Sequence, residues 1–211
     1  MRNLAVLTFV TLDGVMQAPG DPDEDRSGGF KQGGWVRGYW DDFLGKVMSE
    51  QMKGPFDLLL GRKTYDLFDG YWPNAGDAPG AKQYNSARKY VVSRKTRRLE
   101  WANSELVSGD IISKIRNLKK RKGPEIQVHG SGNLIQTLLK HDLIDEFRLK
   151  IFPITLARGK RLFAEGTIPS GFQLVESKPS PRGVLVATYR RAGTIKTGSF
   201  ASFADNFLVD V

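Results

Sequence analysis

Short apolar runs separated by segments of helical periodicity fill the first 140 residues of the chain. Residues 4–10 are rich in β-forming side chains and predict a buried first strand. Equally short runs predict further strands at residues 57–60, 89–93, 106–107 and 125–129. The segments between them predict helices at residues 42–52, 64–68, 111–121 and 133–140. Such alternation of strand and helix is typical of a parallel sheet with helices on its faces.

The pattern changes after the last of these helices. Residues 145–151 alternate apolar and polar side chains with period two, as a half-exposed strand does. Residues 172–176 and 184–190 follow, with a turn rich in proline and glycine between them, and predict a β-hairpin. The sequence therefore predicts an α/β fold whose mixed, mainly parallel sheet has an antiparallel C-terminal edge.

Two long segments have the composition of loops. Residues 17–34 contain seven glycines and prolines, and residues 69–81 are similarly polar. A loop of this length inside a compact domain is usually functional or mobile. We therefore expect residues 17–34 to form a functional or mobile loop.

The overall composition is that of an ordinary globular protein. The chain has 211 residues, of which 40% are hydrophobic and 26% charged, so we expect one domain over residues 1–192 and a tail over residues 193–211. Three aromatic residues of the tail could pack on the body or on a partner subunit: Phe200, Phe203 and Phe207. The absence of cysteine excludes disulfides, zinc–thiolate sites and a cysteine nucleophile. This fits a cytoplasmic protein, and residues 1–7 are too short an apolar run for a signal peptide or a membrane span.

The chain carries a formal net charge of +9 at pH 7. Basic residues cluster at 94–98, 116–122 and 158–161. A nucleic-acid-binding protein has this charge pattern, and so does an enzyme that acts on phosphorylated small molecules. Many of these cations, above all those at 116–122, are typical of a solvated helix end.

Three predicted strands end in residues suited to binding phosphate: Gly61-Arg62-Lys63-Thr64, Ser93-Arg94-Lys95 and His129-Gly130-Ser131-Gly132-Asn133. The carboxyl ends of parallel strands share one edge of a sheet, where ligands bind. Glycine lets a phosphate approach the backbone and the free N–H groups of the next helix, and a basic side chain adds charge-assisted hydrogen bonds. Together the three ends predict a dinucleotide site.

The spacing of these residues differs from that of the common dinucleotide fold. Gly-x-Gly-x-x-Gly does not follow the first strand, and no acidic residue stands where it would bind a ribose hydroxyl. Basic residues in its place favour a 2′-phosphate, and therefore NADPH over NADH. No cluster of metal ligands is evident in the sequence.

Five segments together resemble the dihydrofolate-reductase-like superfamily: Thr11-Leu12-Asp13-Gly14, the run from Leu59 to Asp66, Val91-Val92-Ser93-Arg94, the run from Val128 to Leu134, and the run from Asp145 to Ile154 with Gly159–Phe163. The nearest branch is the reductase (RibD C-terminal) domain of riboflavin biosynthesis and its stand-alone relatives. The resemblance covers about residues 3–191. It implies a three-layer fold with about eight strands, NADPH bound across the strand ends, and often a homodimer. The zinc deaminase half of the bifunctional relatives needs cysteines that this chain lacks.

The resemblance also implies roles for particular residues. Arg62, Ser93 and Arg94 would bind the 2′-phosphate, while Thr64 and the neighbouring Gly61 would meet the pyrophosphate. The remaining cofactor contacts would come from Gly14, Gly130, Ser131, Gly132, Asn133 and Leu134.

The substrate side is less defined by the sequence. Dihydrofolate reductases carry a carboxylate on the first helix, where this chain has Gly45, with Asp41 and Asp42 at the helix start. We take Asp42, Asp13 and His129 as candidate catalytic residues. The alternatives are a helix cap for the aspartates at 41 and 42, a plain turn at Asp13 and a structural role for the histidine.

Four aromatic residues could form the substrate wall: Trp35, Trp40, Phe68 and Trp72. Core packing is the alternative for each of them. The sequence thus favours an NADPH-dependent reductase for a small heterocyclic, imine or carbonyl substrate, without nucleic-acid or membrane partners. Two other hypotheses remain, a nucleotide-binding protein without turnover and a basic nucleic-acid-binding protein.

Overall fold

An eight-stranded sheet organises the protein in the computed structural model, which describes residues 1–94 and 98–199. Lys95 and the three phenylalanines of the tail lie outside the described residues. The strands stand in the order β4-β3-β2-β5-β1-β6-β8-β7. Their bounds are β1 Leu4–Thr11, β2 Phe56–Gly61, β3 Lys89–Val92, β4 Ser104–Val107, β5 Glu125–His129, β6 Glu146–Phe152, β7 Phe172–Pro179 and β8 Leu185–Arg191.

The six strands from β4 to β6 are all parallel, and β8 and β7 add an antiparallel edge. The predicted α/β class, with a mainly parallel sheet and an antiparallel C-terminal edge, is confirmed. Strand β1 lies at the centre, so its eight residues are nearly all buried and read as one apolar run.

Five α-helices cover the two faces of the sheet: α1 Asp42–Gln51, α2 Arg62–Tyr71, α3 Ala81–Ser86, α4 Ile111–Lys120 and α5 Gly132–Lys140. Buried side chains of α2 and α3, such as Tyr65 and Tyr84, pack against Leu58 and Leu60 of β2. On the opposite face, α4 and α5 pack against Leu4 and other residues of β1 and β5. The result is a three-layer arrangement of helices, sheet and helices.

Two elements differ from the sequence prediction. Helix α3 lies where no helix was predicted, because its six residues bury just Ala81 and Tyr84 and give little periodic signal. Strand β6 was predicted to be half exposed, yet five of its seven residues are buried. Of its polar side chains, Lys150 donates to Gln51 of α1, while Arg148 binds Glu146 and Glu125 within the sheet.

The long loop after β1 is organised around the buried side chain of Gln17. Its Nε2 donates to the carbonyls of Asp25 and Ser27, and its Oε1 accepts from the backbone N–H of Lys160. These bonds join the loop to itself and to the segment after β6. Across residues 1–94 and 98–199, no helix is both long and apolar enough to cross a membrane.

Candidate functional site

A cleft of about 1310 Å³ lies at the carboxyl ends of five parallel strands, β3, β2, β5, β1 and β6. The loop after β1 forms its outer wall through residues 16–20 and 24–27. Four strand spacings separate β3 from β6, so the edge of the sheet beneath the cleft is about 19 Å long. A dinucleotide in an extended conformation needs a site of this length.

Ser131 joins the two turns at the middle of the cleft. Its backbone is left-handed, with φ of 65°. Its Oγ accepts from the N–H of Gly61 at 2.9 Å and donates to Oγ1 of Thr64 at 2.8 Å. A side chain added at Gly61 would lie 3.3 Å from Ser131, so the two turns are closely packed. The bonds hold the first turns of α2 and α5 beside each other.

Helices α2 and α5 begin at the cleft without the side-chain cap that α1 and α4 have. Asp41 caps α1 by accepting from the N–H of Leu44, and Asp110 caps α4 by accepting from the N–H of Ser113. No side chain caps α2 or α5. Their first N–H groups and the positive ends of their dipoles therefore face the cleft and suit an anion.

Arg62 holds a positive charge at the start of α2. Its Nε and Nη2 bind Oδ1 of Asp66, at 2.8 and 2.6 Å, and its guanidinium lies 5.4 Å from the ring centre of Tyr65. The Asp66 carboxylate raises the pKa of Arg62 further. The remaining nitrogen, Nη1, is buried and has no hydrogen-bond partner within residues 1–94 and 98–199. A buried guanidinium N–H without an acceptor fits an anionic ligand, because leaving it unpaired is costly.

Positive side chains dominate the described lining of the cleft. The cations are Arg26, Arg62, Lys63, Arg94, Lys150 and Lys160, and the carboxylates are Glu24, Asp25 and Asp66. Burial would raise the pKa of Asp25, but its bond to the Lys160 ammonium lowers it to about 2. Two of the three carboxylates are thus neutralised by neighbouring cations, so the excess positive charge is available to a ligand.

The half of the cleft over β1 and β6 is mainly apolar. Phe9 of β1, Met48 of α1 and Phe68 of α2 line it. The phosphate-compatible turns all follow β2, β3 and β5, on the other side of β1. The cleft therefore has a cationic half suited to phosphates and an apolar half suited to an uncharged ring.

Comparison with known proteins identifies the family. The family model described as the RibD C-terminal domain matches residues 2–186 of this chain. The chain belongs to the RibD C-terminal domain family. The uncharacterized protein YyaP of Bacillus subtilis (strain 168) is 31% identical over 140 residues, which cover 64% of this chain and 74% of YyaP.

Solved structures share the fold of this RibD C-terminal domain. A putative riboflavin biosynthesis protein from Shewanella sp. PV-4 has a TM-score of 0.67 at 23% identity, covering 90% of this chain and 99% of that one. Dihydrofolate reductase from Enterococcus faecalis, complexed with NADP(H), has a TM-score of 0.57 at 16% identity, covering 90% and 96%. The dihydrofolate-reductase-like fold that the motifs implied is confirmed.

Most of the residues that the resemblance assigned to the cofactor meet in the cleft. The lining includes Gly61, Arg62, Thr64, Ser93, Arg94, Gly130, Ser131, Gly132, Asn133 and Leu134. Gly14 does not line the cleft. It lies in a tight turn, and its own carbonyl accepts from the N–H of Leu162. Its φ of 82° explains the glycine there without a ligand.

The structure does not bring the two aspartate candidates to the cleft of this RibD C-terminal domain. Asp13 ties the turn after β1 to the segment after β6, since it accepts from the backbone N–H groups of Leu156 and Ala157. Asp42 is the exposed first residue of α1, which Asp41 caps. The structural alternatives, a turn and a helix start, therefore explain both residues.

His129 lines the cleft, but its ring is committed to internal hydrogen bonds. Gln127 donates through Nε2 to the Gln51 carbonyl and to Glu125, which leaves its Oε1 to accept from Nε2 of His129 at 2.9 Å. Nδ1 of the histidine then accepts from the Tyr84 hydroxyl at 3.3 Å. Burial, with the charges of nearby lysine and arginine adding to it, lowers the pKa of His129 to about 3. A neutral imidazole bonded on both sides has no free N–H to donate to a substrate, so this geometry favours the structural alternative for His129.

This buried histidine makes stability sensitive to acid. The pKa of His129 is lower in the folded state, at about 3, than the ordinary value of 6.5, so the unfolded chain binds the extra proton between these values. We expect the histidine's stabilising contribution to be complete above pH 6.5 and to be lost as the pH falls towards 3, by up to about 1.4 kcal/mol per pH unit. Urea unfolding at a series of pH values measures this.

The matched control is His141, the other histidine, which is exposed. His129→Gln should lower stability at neutral pH yet flatten its dependence on pH between 3 and 6.5. His141→Gln should leave that dependence as in the wild type. Identical pH profiles for all three proteins would contradict the neutral state of His129.

Of the four aromatic candidates for the substrate wall, one lines the cleft and three do not. Phe68 lines the apolar half of the cleft. Trp35 is buried behind it, with its ring against Phe152 and its Nε1 donating to the Gln17 carbonyl. Trp72 packs on Tyr84, and Trp40 packs on the outer side of Phe9. These three tryptophans support the wall of the cleft without lining it.

Lys150 of β6 is the lining residue that sequence reasoning missed. It is 1% exposed, and its Nζ donates to Oε1 of Gln51 at 2.5 Å. Burial, with repulsion from Arg148 adding to it, lowers the pKa of Lys150 to about 7. Its place in an alternating strand predicted a solvated lysine, and no local pattern signals that α1 covers it.

Proposed function

We propose that this protein is an NADPH-dependent reductase of a small heterocyclic, imine or carbonyl substrate. The observation that carries the proposal is the pair of uncapped helix starts beside the unpartnered Nη1 of Arg62. Anion-binding groups at this place, next to an apolar half-cleft, match the needs of a phosphorylated dinucleotide. Membership of the RibD C-terminal domain family and the fold shared with an NADP(H)-bound reductase support it.

The residues present fit this cofactor along the length of the cleft. Arg62 and Arg94 would bind the 2′-phosphate, and the backbone of Gly130–Asn133 would bind the pyrophosphate at the start of α5. Thr64 would add a hydroxyl that Ser131 already orients. The nicotinamide would then lie over β1, against the apolar side chains of Phe9 and Phe68.

When bound, NADPH supplies the hydride, and the protein supplies orientation and a proton. The oxygen of a reduced carbonyl, or the nitrogen of a reduced imine, takes a proton when the adjacent carbon takes the hydride. Among the described residues of the apolar half, Lys150 holds a titratable proton that faces the cleft. With its pKa lowered to about 7, this ammonium can give up a proton at neutral pH and regain one from solvent.

NADPH should stabilise the folded protein. At a concentration one hundred times its dissociation constant, a ligand that binds only the folded state adds about 2.7 kcal/mol. For a chain of this size we expect the melting temperature to rise by about 5–10 °C. Thermal unfolding with NADPH, NADH and no cofactor measures the effect, and NADH should raise the midpoint much less.

Turnover is tested separately from binding. The oxidation of NADPH, followed by its absorbance, should accelerate with at least one member of a panel of cyclic imines, ketones and pyrimidinones. Stabilisation by NADPH without oxidation across the panel would indicate a nucleotide-binding protein without turnover. A midpoint unchanged by millimolar NADPH would overturn the proposed cofactor.

A further inference from the structure

Lys150 occupies a defined place at the end of the apolar half. It pairs in register with Phe9 of the neighbouring strand, and its Nζ lies 5.8 Å from the centre of that ring. The last residue of β5, His129, pairs with Leu7 of β1, whereas Lys150 pairs with Phe9. Lys150 therefore lies two residues beyond the end of β5, on the same face of the sheet. The ammonium therefore lies at the floor of the cleft, on the far side of β1 from the phosphate-binding turns.

The charge of Lys150 has no carboxylate partner among the described residues. Its recorded acceptor is the side-chain amide oxygen of Gln51 on α1. The neighbouring charge on its own strand is Arg148, and the carboxylates of Glu125 and Glu146 are both paired with that arginine. An ammonium has three N–H donors, so at least two remain for a group in the cleft.

The other elements around this lysine do not supply a counter-charge. Strand β5 presents His129, which is neutral, and β1 presents the ring of Phe9. Strand β8 pairs Val186 with Lys150, and α1 contributes Met48 to the cleft. Keeping a buried cation without a carboxylate is costly, and apolar side chains of similar size would remove that cost.

We propose that Lys150 Nζ donates hydrogen bonds to an electronegative atom of the substrate, so that the enzyme accepts a neutral or anionic ring carbonyl or imine and rejects a cationic amidine-type ring. This inference rests on the proposed reductase function, because it assigns the substrate end of the same cleft. It names the charge and the hydrogen-bonding character of the substrate, which the family and the fold leave open.

The positions of the cleft carboxylates support this selectivity. Glu24 and Asp25 lie in the loop after β1, where Asp25 is bound to Lys160. Asp66 lies beside Arg62 at the phosphate end. Among the described residues, none of these three carboxylates forms an ion pair with Lys150. A protonated aminopyridine-type ring placed beside Lys150 would meet a like charge at close range, which is unfavourable in a partly buried site.

The inference is tested with two probes that share a ring and differ in charge. The carbonyl of 4-pyridone is a neutral acceptor, and 4-aminopyridine is a cation throughout the neutral range. Lysine labelled with carbon-13 at Cε reports the titration of each lysine by NMR. Burial also lowers the pKa of Lys89, to about 8, so the resonance of Lys150 is the one that titrates lowest, near pH 7. That lowest titration should be present in the wild type and in Lys46→Met, whose changed residue is exposed on α1, and missing in Lys150→Met, which keeps the titration of Lys89.

The two probes should shift that titration in opposite directions. An acceptor stabilises the charged ammonium, so 4-pyridone should raise the pKa of Lys150, whereas 4-aminopyridine should lower it or leave it unchanged. Lys150→Met should weaken 4-pyridone binding by about tenfold, while Lys46→Met should leave it as in the wild type. If Lys150→Met does not fold, the titrations of the wild type decide, with the resonance assigned from Lys150→Arg.

Three results would overturn the inference. They are the absence of a lysine titration near pH 7 that Lys150→Met removes, a pKa of Lys150 that responds to neither probe, and a pKa of Lys150 that both probes raise. Each titration is run with and without NADPH. A protein that does not bind NADPH but still shows the opposite shifts would refute the reductase and keep the assignment of Lys150. A protein that binds NADPH without those shifts would refute the assignment of Lys150 and keep the proposed cofactor.

Discussion

Replacing Arg62 by alanine is expected to weaken NADPH binding by about 10- to 100-fold and to change NADH binding little. A hydrogen bond to a charged group contributes about 1.5–3 kcal/mol, and the buried Nη1 of Arg62 has no hydrogen-bond partner among the residues that the structure describes. NADH lacks the 2′-phosphate that this nitrogen would meet. Fluorescence titration of both cofactors, with wild type and variant, measures the two dissociation constants.

Lys63→Ala is the matched control for the loss of one positive charge from the same helix turn. The Lys63 side chain is 79% exposed, and its nearest carboxylate oxygen, on Asp25, is 4.0 Å away. We expect this variant to weaken both cofactors slightly and to the same extent, since an exposed charge is screened by solvent. Equal losses of NADPH and NADH binding in Arg62→Ala would refute the assignment of the 2′-phosphate to Arg62.

Arg148→Met is expected to reduce the free energy of unfolding by about 3–5 kcal/mol, the largest loss that we predict. Arg148 binds both oxygens of Glu125, at 2.8 and 2.6 Å, and its Nε donates to Glu146 at 2.7 Å. The bonds to Glu125 run from β6 to β5 across the central strand β1, over the small side chain of Ala5. Removing the guanidinium leaves two carboxylates in a largely buried position without their main partner. Urea unfolding at neutral pH measures the loss.

Arg190→Met provides the control for this network. Arg190 binds the same Glu146 at 3.4 Å, but its side chain is 61% exposed, so its removal should cost about 0–1 kcal/mol. Burial raises the pKa of Glu125, yet its hydrogen bonds, that to Arg148 foremost, hold it below the ordinary value of 4.5. The stabilising pair is therefore complete above pH 4.5, and the difference between wild type and Arg148→Met should shrink as the pH falls below it. Similar losses in the two variants would contradict the network.

The phosphate end of the cleft was predictable because its signals are local. An apolar run that ends in glycine, followed by a basic residue or a hydroxyl and a helix, specifies a strand, a turn and an open helix start within ten residues. Gly61–Thr64 and Gly130–Asn133 both have this order, and both line the cleft. The order of the strands, which places β5 between β2 and β1 and so brings these turns together, comes from the tertiary structure.

Asp13 and Trp35, two candidates for the substrate end, lie outside the lining of the cleft because their partners are distant in sequence. Asp13 is bound by backbone N–H groups about 143 residues away, at Leu156 and Ala157. Trp35 lies against Phe152, so its place in the core depends on the return of the chain through β6. A short sequence pattern cannot distinguish a carboxylate that binds a loop from one that binds a substrate.

The sequence by itself determined the strands, the parallel sheet with its antiparallel edge and the cationic half of the cleft, because each depends on neighbouring residues and on the period of the side chains. The tertiary structure alone decided which titratable groups of the apolar half face a ligand. His129, next to the glycine turn, is neutral and bonded on both sides, whereas Lys150, in a strand expected to be solvated, is buried at the floor of the cleft. Burial and hydrogen-bond partners set the charge of such groups, and both come from elements that the fold brings together.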